Sequence, residues 1–422
     1  MKVSEEAHVS NIQTINITPK QSSKIQQAIN TCWENGGGCV VLKPGIYVSG
    51  TLFLKSNVTL KLEEGAVLLG STEIDDYLEN DACFIDGIGE KRGRALILAY
   101  REENIAVIGK GIIDGRGREF EAGHPHYTIR PFLVRFVQCK NVIVENLSLR
   151  MSAAWCLHIQ DCSRVTVKGI SIVNRCNENN DGIDIDGSDH VVVEQCMIDS
   201  GDDALCLKST SEKCCQHIRI RDCLVTTNCS AFKIGTESVG DYEDIEVSDC
   251  MFYDVRCCAI KVVPVDGGNV NNLRIHDIKM KNCTGPIFFS TGTRLRRYFS
   301  GYRDKPGKIQ NVVLERIDAY VIDAKGRVLD GKPWGNGKAC VVFSGLRDIP
   351  MENILVKDCN FDMPGGITKI ESDEVPELGK QYPEFHLFGT LPFWGVYQRN
   401  VQKIKFDNVK LTRRAEDVRP MM

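Results

Sequence analysis

A six-residue pattern, apolar-any-apolar-any-polar-apolar, returns so often along this 422-residue chain that few folds can accommodate it. It reads VIVENL at 142–147, VTVKGI at 165–170, VVVEQC at 191–196, IRIRDC at 218–223, IEVSDC at 245–250, LRIHDI at 273–278 and VVLERI at 312–317. ILVKDC at 354–359 and IKFDNV at 404–409 are later copies. Starts from 142 to 273 lie 23, 26, 27, 27 and 28 residues apart. A unit this short, built of alternating strands with no room for a long helix, is one coil of a parallel β-solenoid, because each coil hides its apolar face only against the next. NVTLKLEEGAVLLG (57–70) and NIAVIGKGIIDG (104–115) read as earlier coils. The expectation is an all-β chain, a single parallel β-helix domain over 1–422. Residues 21–34, QSSKIQQAINTCWE, align Ile25, Ala28, Ile29 and Cys32 on one helical face ahead of the stop Asn35-Gly36-Gly37-Gly38, so a cap helix is expected at about 20–35. From about 320 to 400 the coils become loop-rich, with GKPWGNG (331–337) and LPFWGVY (391–397) either walling a cleft or packing on the solenoid.

A second strand per coil aligns independently: CLHIQ (156–160), GIDID (182–186), ALCLK (204–208), AFKIG (231–235) and AIKVV (259–263). Their second positions, Leu157, Ile183, Leu205, Phe232 and Ile260, form one inward stack, and Ile159, Ile185, Leu207, Ile234 and Val262 form another. Side chains alternate across a strand, so the third positions face outward: His158, Asp184, Cys206, Lys233, Lys261. The residue before each strand adds a column at the bend: Trp155, Asp181, Asp203, Ser230, Cys258. Parallel neighbours lie about 4.8 Å apart, so Asp181 and Asp203 are neighbours, with Asp202 beside them. Such a cluster reads as catalytic carboxylates with split pKa values or as solvated turn residues. A calcium site could use three carboxylates, but Lys233 and Lys261 would oppose the cation.

Composition excludes other classes. With 52 basic and 56 acidic side chains the net charge of −4 gives no footprint for nucleic acid, and no apolar run approaches the roughly 20 residues that span a bilayer. The 19 cysteines are an odd number, and no Cys/His spacing suggests zinc. Many of them replace Ile, Val or Leu in the repeat, as buried hydrophobes in a reducing compartment do. With no signal-like N-terminus, a cytoplasmic location is expected; a secreted or periplasmic chain trimmed of its signal would look the same. No cofactor or metal is expected, and the oligomeric state is not encoded in any pattern.

NNDGID (179–184), SGDDALCLKS (200–209), RP (130–131), SAAWCLHI (152–159) and PGIYVSGTLFLKSNVTL (44–60) together resemble the polygalacturonases and their relatives, pectin-degrading glycoside hydrolases, over roughly residues 20–410. The resemblance implies a right-handed, single-stranded parallel β-helix and an inverting hydrolase. Asp202 would protonate the glycosidic oxygen, while Asp181 and Asp203 would activate water, with acid and base about 6.5–9.5 Å apart. It implies an oligo- or polysaccharide substrate of pectin type, cleaved inside the chain or from its end. Two positions depart from the family pattern: Ser230 stands where a histidine is expected and Ala259 where an arginine is. Lys261, Lys233, Glu237, Arg294, His158, Trp155 and Asp184 are the candidate substrate contacts. The competing functions are a uronate lyase or epimerase with a lysine base, and a non-catalytic carbohydrate-binding β-helix.

Overall fold

The computed structural model describes residues 13–79, 84–86, 89–298, 301–323, 328–329, 332–333, 340–370 and 374–422. Its core is a right-handed parallel β-helix. An 11-stranded parallel sheet runs from Leu52–Phe53 to Val396–Arg399, and a 22-stranded sheet carries the other two walls of the coil. The repeat pattern forms one ladder of the larger sheet, pairing Val142 with Val165, Val165 with Val191, Val191 with Ile218 and Ile218 with Ile245.

Why the fifth position of the repeat is polar follows from the backbone. Asn146, Gly169, Gln195, Asp222, Asp249, Asp277, Arg316, Asp358 and Asn408 all have φ between 50° and 62°, the left-handed region where Gly, Asn and Asp are least penalised. This residue turns the chain from one wall to the next. The sixth position then drops inward, and at Cys196, Cys223 and Cys250 each thiol donates to the carbonyl two residues back, at Glu194, Arg221 and Ser248 (3.3, 3.2 and 3.0 Å). A cysteine therefore fills the apolar rung and also satisfies a carbonyl at the bend. All three are buried, and none of the described cysteines is paired.

The cap is the α-helix Ile25–Glu34, preceded by a 3₁₀ segment at Pro19–Lys24; Ile25, Ala28, Ile29 and Cys32 are its buried face. Of the loop-region stretches, LPFWGVY buries Leu391, Trp394, Val396 and Tyr397 against the last coils, so it packs on the solenoid. GKPWGNG lies outside the described residues except for Lys332–Pro333.

Candidate active site

The 11-stranded sheet sets the register expected from sequence: Ile183 pairs with Leu205, Leu205 with Phe232 and Phe232 with Ile260. The third-position column is therefore His158, Asp184, Cys206, Lys233, Lys261. At the bend, the Gly182 amide donates to the Asp203 carbonyl (2.9 Å), which places Asp181 and Asp203 on adjacent coils. Gly182 is required there, because a Cβ would lie 2.4 Å from the Ala204 carbonyl oxygen.

Buried amides hold these bends. Asn180 donates to the carbonyls of Ser152 and Ala154 (2.9 and 3.0 Å) and accepts from the amides of Cys176 and Asn177. Asn174 donates to the Asp181 carbonyl (3.0 Å). The Asp202 carbonyl accepts from Ser200 and Thr227 hydroxyls (2.6 and 2.5 Å), and its carboxylate accepts from the Asp203 amide (2.9 Å). The backbone of these bends is thus tied to neighbouring coils, which positions the carboxyls before any ligand arrives.

Asp86, Trp155, Asn179, Asp181, Asp202, Asp203, Lys208, Lys233, Glu237 and Tyr382 line a pocket of about 50 Å³ over this bend. Lys233 donates to Asp203 (2.5 Å) and to the Tyr382 hydroxyl (2.8 Å). Lys208 sits 3.6 Å from Asp181, 3.5 Å from Asp184 and 3.5 Å from Glu237, with its ammonium 4.4 Å from the Trp155 ring centre. The carboxyls are driven apart. Burial would raise Asp203, but Lys233, Lys208 and Lys261 outweigh it and hold the group below the usual carboxylate range. Asp202 moves up, through burial and then the Asp203 charge. Asp181 is raised further by burial, Asp184 and Asp202, and burial takes Asp184 to about 7 despite Lys208. Asp203 is thus shifted toward the carboxylate while Asp202, Asp181 and Asp184 are shifted toward the protonated form, the split that acid–base chemistry needs.

Several candidate contacts fall elsewhere than expected. His158 and Asp184 face outward from the coil but are fully covered; His158 lies under Trp155 and Phe132, accepts from Arg135 at Nδ1 (3.2 Å) and meets Asp186 at Nε2 (3.3 Å). With Arg135 donating to Nδ1, the neutral tautomer carries its proton on Nε2, and burial, Arg135 and Lys208 hold the imidazole neutral. It supports the floor and does not reach a ligand. Arg294 is consumed by Asp266, Thr236 and Tyr298. Lys261 is also fully covered, paired with Glu384 at 2.7 Å, and Glu237 is paired with Lys208 and not with Lys233 or Lys261. Ser230, in place of a histidine, donates its amide to Asp203 (3.3 Å); Ala259 is buried apolar core.

Asp86, Asn179, Lys208, Tyr382 and Glu384 had escaped as site residues in the sequence reading. Lys208 carried a signal: alternation that turns Cys206 outward also turns Lys208 outward, and it pairs in register with Asp186. Tyr382 and Glu384 carried none, since they reach the site from 149 and 123 residues away along the chain. One oxygen each of Asp202 and Asp203 and the Cys229 sulfur lie within 4.8 Å of one another, but Lys233 already occupies Asp203 and opposes a cation there.

The family model described as "Glycosyl hydrolases family 28" matches residues 87–345, a span that contains the acidic bends and the lysine column. The chain belongs to family 28. It is 26% identical over 278 residues to a "Probable polygalacturonase" of Vitis vinifera, covering 61% of this chain and 56% of that protein. To an "Endo-polygalacturonase" of Pectobacterium carotovorum subsp. carotovorum it is 27% identical, covering 64% and 71%. The chain thus spans little more than half the length of the grape relative. Among solved structures it is similar to the exopolygalacturonase of Thermotoga maritima (TM-score 0.70, 19% identity, 95% of this chain and 92% of that one). The family 28 exopolygalacturonase of Yersinia enterocolitica gives a TM-score of 0.73 at 17% identity, with 96% and 76% covered. At such identities these two likenesses speak for the β-helix.

Proposed function

We propose that this family 28 protein is a glycoside hydrolase that cleaves glycosidic bonds in pectin-type or related plant oligosaccharides, and that it acts from a chain end. The observation that carries the reading is the pair Asp202 and Asp203, adjacent in sequence and shifted in opposite directions, Asp202 up and Asp203 down. Asp202, partly exposed and raised, donates the proton to the leaving oxygen; Asp203, ionised against Lys233, activates the water. Asp181, raised well above the usual range, orients that water with its carboxyl and is not a second base in the free protein. Relatives named polygalacturonases and exo-poly-alpha-D-galacturonosidase point to the same substrate class.

End-wise action rests on the walls. Asp86 and Tyr382 both line the pocket, and a space of about 50 Å³ holds a few waters and not a sugar ring. A sugar enters only if the Tyr382 ring, 37% exposed, swings aside. The eighteen described cysteines, none paired, fit a reducing compartment, where short oligosaccharides and not wall polymer are available.

The test is incubation with a panel of pectic and other plant oligosaccharides, with products identified by mass spectrometry and the new anomer read by NMR at early times. Release of single end sugars with inversion is expected. The near oxygens of Asp202 and Asp203, within 4.8 Å, are closer than the carboxyl separation usual for inversion and nearer the roughly 5–5.5 Å of retaining enzymes. Retention of configuration would make Asp203 the nucleophile. A lyase is disfavoured by Lys233: burial would lower its pKa, but Asp203 more than offsets that and keeps the ammonium charged, so it is no base. Products absorbing in the ultraviolet as unsaturated uronides would reverse this.

A further inference from the structure

Both lysines that line the pocket among the described residues have an internal partner. Among the described residues that line it are five carboxyl groups, Asp86, Asp181, Asp202, Asp203 and Glu237, against two ammonium groups, Lys208 and Lys233. Both ammonium groups have carboxyl partners of the chain's own: Lys208 has the ionised Glu237, with Asp181 and Asp184 beside it, and Lys233 has Asp203. Near Tyr382 lies a third, Lys261, and it too has an internal partner in Glu384 at 2.7 Å. The Tyr382 ring lies near both lysines, its centre 5.3 Å from Lys233 and 5.5 Å from Lys261. Glu384 arrives on the same loop, two residues after Tyr382, and its other oxygen accepts from the Cys257 thiol (3.6 Å).

Two lysines on adjacent strands at this spacing call for an anion, and the fold supplies its own. A carboxylate on the bound sugar would have to displace Glu384 from the fully covered Lys261 or enter beside Asp203 and Glu237, where among the described residues each lining lysine already has a partner, and either is costly for a buried charge. A sugar that offers only hydroxyls meets the Tyr382 ring and its hydroxyl with no such conflict.

We propose that the position over Tyr382 and Lys233 accepts a neutral sugar and rejects a uronate, and that Glu384 sets this preference by neutralising Lys261. The inference rests on the hydrolase reading above and narrows it: in a pectic substrate any galacturonide lies on the other side of the scissile bond. Glu384 is a specificity-determining residue that acts through Lys261 and touches no reacting atom.

The test uses pairs of oligosaccharides that differ only in CH₂OH against carboxylate at one sugar, made in two series with the variable sugar on either side of the scissile bond. In one series the wild type should prefer the neutral member by at least about tenfold in kcat/KM. In that series Glu384→Gln, which keeps an acceptor for Lys261 but removes the charge, should raise the uronate-to-neutral ratio at least about tenfold, mainly through KM. The double variant Lys261→Met with Glu384→Leu removes both charges and should leave the ratio near the wild-type value. Lack of a neutral preference in both series overturns the inference from the wild type alone, whether or not the variants fold. An unchanged ratio in Glu384→Gln, or an equal rise in the double variant, overturns the role of Glu384. Cleavage of no member of any pair overturns the hydrolase reading itself, and the inference falls with it; cleavage of uronates alone overturns only the inference.

Discussion

At the scale of single residues, the site works by giving chemically identical carboxyls different surroundings. Among the described residues the Asp202 carboxyl has a backbone amide and no ammonium partner within hydrogen-bond distance, while Asp203 has Lys233 at 2.5 Å. Replacing Asp202 with Asn keeps the volume and removes the proton donor, so turnover of a natural substrate should fall by about 10²–10⁴ with the melting temperature little changed. The active form pairs a protonated Asp202 with an ionised Asp203, so kcat/KM should decline as pH rises through the raised Asp202 pKa; an alkaline limb at or below the ordinary carboxylate range would refute the assignment. A second prediction concerns stability. Asp184 is lifted to about 7 by burial, so the folded state holds a proton that the unfolded chain releases near 4. Stability therefore falls as pH rises from about 4 to about 7. Asp184→Asn should flatten that decline, raising the melting temperature at pH 8 more than at pH 4. Equal shifts at both would show that Asp184 is not neutral in the folded protein.

At the scale of the strand and bend, legibility depended on repetition. Residues that recur once per coil could be aligned, so the inward stacks, the Asp181/Asp203 adjacency and the Lys233/Lys261 column were all readable before any coordinates. The handedness of the bend residues was visible only as a polar fifth position; its φ of 50–62° gives the physical reason. What escaped had no repeat behind it. The outward column was expected to meet solvent, yet Lys261 is covered because a loop more than 120 residues downstream folds back with Glu384. No local pattern encodes that return. The bend also yields a chemical prediction. Cys196, Cys223 and Cys250 occupy consecutive rungs and are each at most 2% exposed, so in the native protein they should react slowly with thiol reagents while the partly exposed Cys214 reacts first. Mass-spectrometric mapping of early label would decide. Rapid labelling of all three rungs without unfolding would undo the register on which the site is built.

At the scale of the whole molecule, a solenoid has nearest-neighbour stability and two ends that cannot satisfy themselves. The first coil pairs Thr14–Ile17 with Cys39–Leu42, and beyond it the apolar interior would open to water and to other chains were it not for the helix Ile25–Glu34. Ile29 is fully buried at the centre of that helix's inner face, with Ile25, Ala28 and Cys32 around it. The helix carries almost no stability of its own at ten residues; its apolar face against the coil holds it. Ile29→Asp places an unpaired charge in that contact, a substitution that costs several kcal/mol unless the helix leaves its seat. Undocking is the cheaper outcome, since the active bends lie more than 140 residues further along the chain and each coil depends chiefly on its neighbours. The variant should therefore keep most of its specific activity when dilute. Its first coil should become a template for association through exposed strand edges, seen as concentration-dependent growth in light scattering. Loss of activity in step with loss of the unassociated protein, even at the lowest concentration, would mean that the coils unfold as one unit and that the cap stabilises the entire β-helix and not only its end.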